Sequence, residues 1–481
     1  MTPASIPWAA LAVLIPLAGA IWVRFVRDPE LGRKQSLIVC GATFVCSLCA
    51  WFFLENPADP EHAVWTITTS TPFSADALSA PLLALGSLLY LLVVMATLGV
   101  KLRLISFSSV LISEALLLAT FSSTQPWILV ALLAASVVPP WHELWMQRRP
   151  LRVYTVHMVL FIGLLVAGQA MLSMADRSDG HNPAIGVGLL LAALLLRSGI
   201  FPLHCWMTDL FEHATFGTAL LFITPMVGAY GALRLVLPIA SDVMLHSALV
   251  LSLGTALYAS GMALVQRDAR RFFCYLFLSH SSLVFVGLEM ATRIGVTGAL
   301  CAWLSVGLSM AGFGLTLRAI ETRTGRLSLD KFHGLFAHTP RLGALFLITG
   351  LASIGFPGTI GFIGAELLVE GAMQAGPLIG IALVITAALN GLAVLHAYFR
   401  VFTGTHHVSS IDLGSRPPEV IAVLVLSALI IGGGLYPQPG VASRYIIATE
   451  LVAERRHGLP AVPQERVADT AVPNADDADQ P

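Results

Sequence analysis

Apolar stretches of about 20 residues recur along this chain from Pro7 to Tyr436 and are separated by short polar segments. A helix of about 20 apolar residues can cross the roughly 30 Å hydrocarbon core of a bilayer. Only 11% of the 481 residues are charged and 56% are hydrophobic, whereas soluble domains carry about 25% charged residues. The sequence therefore predicts an all-α membrane protein without a soluble domain between its membrane spans.

Fourteen transmembrane helices, numbered here as spans 1 to 14, are predicted from these stretches. Their approximate bounds are 7–26, 36–54, 77–98, 104–121, 126–141, 152–174, 184–203, 216–238, 244–265, 271–290, 295–319, 342–373, 376–403 and 418–436. We divide the chain into an N-terminal region with spans 1 to 3 (1–103), a core (104–403), the last span (404–440) and a polar tail (441–481). The tail has too few apolar residues to bury, so we expect it to be disordered.

Basic residues follow the odd-numbered spans. Those after spans 1, 3, 5, 9 and 11 are Arg27, Arg33, Lys34, Lys101, Arg103, Arg148, Arg149, Arg152, Arg267, Arg270, Arg271, Arg323, Arg326 and Lys331. Short loops rich in Lys and Arg stay in the cytoplasm. We therefore predict a multi-pass protein of the bacterial inner membrane with both termini on the non-cytoplasmic side. Span 1 is expected to be retained, because basic residues follow it, whereas in a signal peptide they precede the apolar stretch.

Composition argues against several partners and cofactors. The net charge is −1 and basic residues occur only in short loops, so nucleic acid is not an expected partner. The six cysteines are scattered, and the one close pair, Cys46 and Cys49, has no second pair to complete a four-ligand site. We expect no zinc, iron–sulfur cluster, haem or other cofactor in this chain.

Two of the apolar stretches contain helix-breaking residues: Pro202 in span 7, and Pro357 with Gly358 in span 12. Proline removes a backbone donor, and glycine tolerates the irregular angles that a break needs. Broken helices at corresponding positions are typical of inverted-repeat transporters, whose site lies near the bilayer midplane. We predict inverted repeats formed by spans 4–8 and 9–13; proline kinks in ordinary lipid-facing helices are the alternative.

Several longer motifs resemble those of one family. They are Asp76-Ala77-Leu78-Ser79, Phe201 to Trp206 with Asp209, Gly228 to Arg234, Gln266 to Ser279-His280, Leu351 to Thr359 and Gly434 to Pro439. This set is similar to that of the proton-translocating, Mrp antiporter-like membrane subunits of respiratory complex I (NADH-quinone oxidoreductase), most closely the subunit M type. The resemblance covers most of the membrane region and implies a proton path that works inside a larger complex.

The chain departs from this family at positions where the family carries proton-path residues. Ala134, Met226, Val306 and Ala365 stand where the family has Glu, Lys, His and Glu, and Arg197 stands where it has Lys in span 7. A relay needs groups that gain and lose protons, and an arginine does not deprotonate in proteins. The resemblance therefore implies an inactive relay in the first half of the chain and an ion path in the second.

The candidate ion-path residues are Glu366, His280, Arg197, Glu114, His396 and Glu370. Ionisable groups at membrane depth are functional candidates, because burying each one costs about 2.5 kcal/mol or more. We expect Glu366, just after the break in span 12, and His280 to form the centre of the path, although His280 also fits a packed polar role. Glu114 and Arg197 are expected to pair structurally. Glu370 and His396 lie nearer helix ends, where water is within reach, so a structural role is favoured for both.

The main hypothesis is a membrane subunit of a proton-translocating NADH-quinone oxidoreductase-like complex, which couples proton or cation transport to its partner subunits and is not catalytic alone. One alternative is the membrane subunit of a dissolved-inorganic-carbon uptake complex, which has a soluble partner, or of a multisubunit cation/proton antiporter. Another is an assembly scaffold that does not pump. The expected partners are the lipid bilayer and other membrane subunits of a hetero-oligomeric complex.

Overall fold

A computed structural model describes residues 6–55, 73–97, 105–175, 183–404 and 414–458. Helices joined by short turns make up these ranges. The helices that precede residue 240 are α1 (Trp8–Arg24), α2 (Pro29–Glu55), α3 (Ser79–Met95), α4 (Phe107–Ser122), α5 (Pro126–Ala135), α6 (Val138–Met146), α7 (Arg152–Ala175), α8 (Pro183–Arg197), α9 (Cys205–His213), α10 (Phe216–Ile223) and α11 (Val227–Gly231), which continues as a π-helix (Ala232–Val236).

The remaining part of the chain is also helical. Its helices are α12 (Asp242–Val265), α13 (Ala269–Glu289), α14 (Arg293–Thr324), a short 3-10 turn (Leu335–Ala337), α15 (Pro340–Ser353), α16 (Ile360–Ala375), α17 (Pro377–Phe402), α18 (Pro417–Leu435) and α19 (Gln438–Gly458). Nine helical segments of the described ranges are long and apolar enough to cross a membrane, and five further apolar helices are shorter. An all-helical, multi-pass membrane protein is therefore confirmed, while the count of fourteen spans stays a prediction.

The longest helix, α14, has 32 residues and lies at the centre of the second half. It contacts α13, α15, α16, α18 and α19. Small residues permit the closest of these contacts: a Cβ added at Gly298 of α14 would lie 2.7 Å from the backbone nitrogen of Leu368 in α16. Close backbone approach at small residues is how membrane helices gain packing energy without a hydrophobic driving force.

Two predicted spans are interrupted where the sequence predicted continuous helices. Span 5 divides into α5 and α6, and span 8 stops at Ile223 and resumes at Val227. Pro225 explains the interruption of span 8, because it has no backbone N–H to donate and its carbonyl accepts a hydrogen bond from Trp303 Nε1 over 3.2 Å. The next residue, Met226, has a φ of 50°, a left-handed conformation that costs a non-glycine residue about 1–2 kcal/mol.

The predicted disordered tail is partly helical, so that prediction is wrong for its first residues. Helix α19 extends to Gly458, and residues 459–481 lie outside the described ranges. Arg455 stabilises α19: it donates to the carbonyl of Ala240 over 3.0 Å and to the carboxylate of Asp242 over 2.5 Å. Near the start of the helix, Arg444 donates to the carbonyl of Ala77 over 3.1 Å. Tertiary contacts thus order a segment whose composition alone predicts disorder.

Ion pairs bring together the loops after the predicted spans 7, 9 and 11. Arg267 lies 3.5 Å from Asp330, and Arg271 donates to Glu212 over 2.5 Å. The hydrogen bond from Arg271 lowers the pKa of the Glu212 carboxyl. Segments that follow three odd-numbered predicted spans therefore contact one another at one face of the molecule.

Candidate ion-transport site

The first predicted break is confirmed between α8 and α9, and Pro202 lies in the connection. Gly199 has a φ of 76° there, a conformation that glycine adopts without strain. The backbone groups released by the break have partners: Phe201 N–H donates to Thr255 Oγ1 over 3.0 Å, and the Leu196 carbonyl accepts from Trp206 Nε1 over 3.0 Å. This irregular backbone is therefore compatible with membrane depth.

Arg197 is the last residue of α8 and is 3% exposed. Its guanidinium lies 3.8 Å from the centroid of the Phe222 ring and donates to the Phe222 carbonyl over 3.3 Å. Trp206 packs against it at 5.5 Å. Arg197 also lines a small cavity with Ser198, Met226, Ser281 and neighbouring apolar residues. The ring and the carbonyl of Phe222 thus stabilise the positive charge of Arg197, at the position where the family has a lysine.

Glu114 is fully buried in α4. Cys40 of α2 donates its thiol to Glu114 Oε2 over 3.1 Å, whereas Oε1 has no hydrogen-bond partner among the described residues. The expected pair with Arg197 is wrong: among the described residues the ion pairs include neither side chain. The two groups occupy separate sites in the first half of the molecule.

The second predicted break is confirmed between α15 and α16, with Pro357 and Gly358 in the connection. Gly355 and Gly358 have φ values of 79° and 85°. The connection is compact, because a Cβ added at Gly355 would lie 2.9 Å from the Cβ of Ala365 in α16. Backbone atoms of the break therefore pack directly against the next helix.

A cavity lies beside this second break. About 70 Å³ of it is open to the centres of water-sized molecules, and one water needs about 10–15 Å³ by that measure. Its polar lining comes from His280, Ser305, Ser353 and Asn390, and Val306 and Ala365 are among its apolar lining residues. His280 is 4% exposed and Asn390 is fully buried. The cavity is therefore large enough to hold several water molecules.

Glu366 does not line this cavity, although its neighbour Ala365 does. Glu366 and Glu370 are exposed on the outer face of α16, one helical turn apart. His396 is half-buried in α17. Glu366 and His280 therefore do not share this cavity, because consecutive residues of a helix point about 100° apart.

Glu289 and Arg318, which are buried, and Glu143, which is half-buried, were not selected from the sequence. Glu289, at the end of α13, accepts from Ser252 Oγ over 3.1 Å. Glu143 of α6 accepts from the Thr215 backbone N–H over 2.8 Å and from the Thr218 hydroxyl. Arg318 of α14 donates to Thr97 Oγ1 over 2.8 Å. Their positions within or next to predicted spans were a visible signal, but none lies at a family proton-path position.

No metal site is evident in the described ranges, where no three His, Cys, Asp or Glu side chains cluster in a way that could bind an ion. The cavity beside the second break offers one imidazole, one amide and hydroxyl groups. Such a set suits water and protons better than a metal, because it contains no carboxylate or thiolate.

The family model described as NADH:quinone oxidoreductase/Mrp antiporter, TM, matches residues 166–390, a range that contains both predicted breaks, Arg197 and His280. Over this range the chain is similar to that family. Two relatives of similar length are named NAD(P)H-quinone oxidoreductase chain 4. The one from Gloeobacter violaceus is 27% identical over 98% of this chain and 95% of the relative. The one from Acaryochloris marina is 26% identical over 98% and 97%.

Two solved structures share the fold of this chain. A chain of respiratory complex I from Thermus thermophilus has a TM-score of 0.81 and 21% identity, covering 93% of this chain and 99% of that one. A chain of the Mrp complex from Dietzia sp. has a TM-score of 0.80 and 17% identity, covering 95% and 99%. The similarity inferred from the sequence motifs is therefore confirmed, and the fold extends over almost the whole length of these neighbours.

Proposed function

We propose that this chain is a membrane subunit of a proton-translocating NADH-quinone oxidoreductase-like complex and couples proton transport to its partner subunits. The observation that carries the proposal is the cavity beside the second predicted break, which a buried His280 lines together with Ser305, Ser353 and Asn390. Imidazole exchanges protons near neutral pH and is therefore a suitable relay group. The near full-length similarity to chain 4 of NAD(P)H-quinone oxidoreductases supports the choice of complex.

The proposed path lies in the second half of the chain and is centred on His280. In the first half, Arg197 does not exchange protons, and Met226 and Ala134 do not ionise. Among the described residues, the Glu114 carboxyl accepts a hydrogen bond only from the Cys40 thiol. Glu366, Glu370 and His396 are proposed to contribute from outside the cavity, where partner subunits or lipid headgroups can contact them. We further propose that spans 4–8 and 9–13 form inverted repeats and that both termini lie outside the cytoplasm. No cofactor is proposed for this chain.

The proposal is tested in inverted membrane vesicles of the source organism, with the chain deleted or restored in place. NADH-driven acidification of the vesicle lumen should depend on the restored chain, and an affinity tag on it should co-purify quinone-reducing subunits. A multisubunit cation/proton antiporter would instead give sodium-dependent proton movement without NADH. A scaffold would restore assembly and NADH oxidation while His280→Ala leaves proton transport unchanged.

A further inference from the structure

We propose that Asn390 and Ser279 are positioning residues of the cavity that His280 lines. Ser279 orients the Asn390 amide so that its oxygen is a fixed hydrogen-bond acceptor in the cavity. This acceptor holds the water through which His280 exchanges protons. This inference rests on the proposed function and deepens it, because it assigns residues and an ion to the second-half site. Neither residue was among the ion-path candidates chosen from the sequence.

The orientation of the Asn390 amide follows from a chain of hydrogen bonds across three helices. Ser279 Oγ of α13 donates its one hydrogen to the carbonyl of Ala256 in α12 over 2.9 Å. Ser279 Oγ can therefore only accept from Asn390, and it does so from Nδ2 over 2.9 Å. The amide oxygen of Asn390 is thereby left as the free end of the side chain.

That oxygen has no partner within the described protein, and neither has Nε2 of His280. Both side chains line the same cavity. A buried amide oxygen without a hydrogen bond costs about 1–3 kcal/mol. Ordered water removes this cost where a cavity is polar and large enough, and the cavity meets both conditions. A water that donates to Asn390 Oδ1 is thus the ligand that the site is built to take.

The composition of the lining favours protons over metal cations. The lining residues include no Asp or Glu, so a bound sodium ion would be buried without a countercharge, which is strongly unfavourable. A proton avoids a permanent charge. It passes from a hydronium in the cavity to the Nε2 lone pair, which forms an N–H bond and leaves neutral water. Its return to a cavity water restores the neutral imidazole.

The first experiment compares Asn390→Leu with Thr386→Val in the intact complex. Thr386 lies one turn earlier in α17, is also fully buried, and donates only to the carbonyl of Ala382 over 2.8 Å. Proton flux per assembled complex should fall about tenfold or more in Asn390→Leu, because a displaced relay water costs rate steeply. It should change by less than about twofold in Thr386→Val. Equal flux in the two variants would overturn the inference.

The second experiment uses Ser279→Ala to test whether Ser279 orients the Asn390 amide. Its control is Ser282→Ala, since Ser282 donates only to the Leu278 carbonyl in its own helix, over 2.7 Å. Ser279→Ala should lower flux, because the amide becomes free to rotate, while Ser282→Ala should not. Asn390→Asp keeps an acceptor oxygen and adds a negative charge, which favours the imidazolium. It should retain flux and move the pH profile to higher pH; a purely structural role for Asn390 would leave the profile in place.

A readout without transport separates this inference from the proposed function. In complex labelled with ¹⁵N-histidine, the His280 signal, assigned by its loss in His280→Gln, should titrate at different pH in the parent and in Asn390→Asp. An unchanged titration would refute the positioning role even if the parent transports protons. A shifted titration in a complex that moves no protons would retain the site and refute the transport proposal. If Asn390→Leu fails to assemble, Ser279→Ala and Asn390→Asp decide.

Discussion

Arg323 and Glu419 form a two-bonded ion pair between α14 and α18, with N–O distances of 3.0 and 2.5 Å. Their side chains are 9% and 3% exposed. Glu419 also accepts the backbone N–H of Arg416 over 3.1 Å, which caps the first turn of α18. One carboxylate thus fixes both the start of a helix and its attachment to the central helix.

Glu419→Gln should destabilise the purified chain by about 3–5 kcal/mol, because it leaves the buried Arg323 uncompensated. The matched control is Glu212→Gln, which removes the exposed pair with Arg271 and should cost at most about 1 kcal/mol. Unfolding in detergent with increasing denaturant measures both. Similar unfolding midpoints for the two variants would show that the Arg323–Glu419 pair contributes little to holding α18 against α14.

Arg197→Lys should be tolerated, whereas Arg197→Ala should reduce the folded chain in membranes. The reason is packing: alanine removes a guanidinium held between Phe222 and Trp206 and leaves a cavity, at a cost of about 2–5 kcal/mol. Lysine keeps the cation over the ring at a smaller loss. Amounts of folded chain are compared by fluorescence size-exclusion chromatography, and normal amounts of the alanine variant would contradict the prediction.

Gly199→Ala should destabilise the chain by about 1–2 kcal/mol, because alanine is strained at a φ of 76°. Its Cβ would also lie 2.8 Å from the terminal methyl group of Met207. Gly188 of α8 is the control, since nothing lies within 4 Å of a Cβ added there. Gly188→Ala should be neutral or stabilising by up to about 1 kcal/mol. Thermal melting in detergent distinguishes them; a loss confined to Gly188→Ala is the contrary result.

His280→Ala should reduce proton transport more than Glu366→Gln, because His280 lines the cavity and Glu366 does not. Ala365→Glu places a carboxylate at the family position and inside that cavity. It should raise the pH at which transport is half-maximal, since a nearby negative charge favours imidazolium. Flux is followed from pH 5 to 9 in vesicles. A steeper loss in Glu366→Gln would put the path on the outer face of α16.

Single cysteines at Lys331 and Gln374 test the orientation. Both positions are exposed; Lys331 lies after span 11, and Gln374 lies between spans 12 and 13. The exposed native Cys205 is first replaced by serine. A membrane-impermeant maleimide applied to intact cells should label the cysteine at 374 and not the one at 331. The reverse labelling would invert the proposed topology.

The two breaks predicted from sequence were predictable because Pro202 and Pro357 stand in long apolar stretches beside glycines that tolerate unusual angles. The break at Met226 was missed, although Pro225 was an available signal, because the apolar pattern continues through it. Helix α19 could not be predicted from composition, since its order depends on Arg455 contacting Ala240 and Asp242, more than 200 residues earlier in the chain.

The cavity illustrates what matching sequence motifs cannot predict, which is the direction in which a side chain points. Glu366 stands one residue after the family position, and in a helix this small displacement moves the carboxylate from the cavity to the outer face. Asn390 and Ser279 were not candidates, because neither ionises. Their role depends on which hydrogen each polar group donates, and that is a property of three helices packed together.

Helix α19 has a consequence for the order in which the protein is made. Its Arg444 contacts Ala77 at the start of α3, and its Arg455 contacts Asp242 at the start of α12. Because α19 leaves the ribosome after every other described helix, these contacts form only once both halves are already inserted. The packing of the first half against the second is therefore completed only after α19 has been translated. A chain stopped after α18 would lack the contacts that Arg444 and Arg455 make.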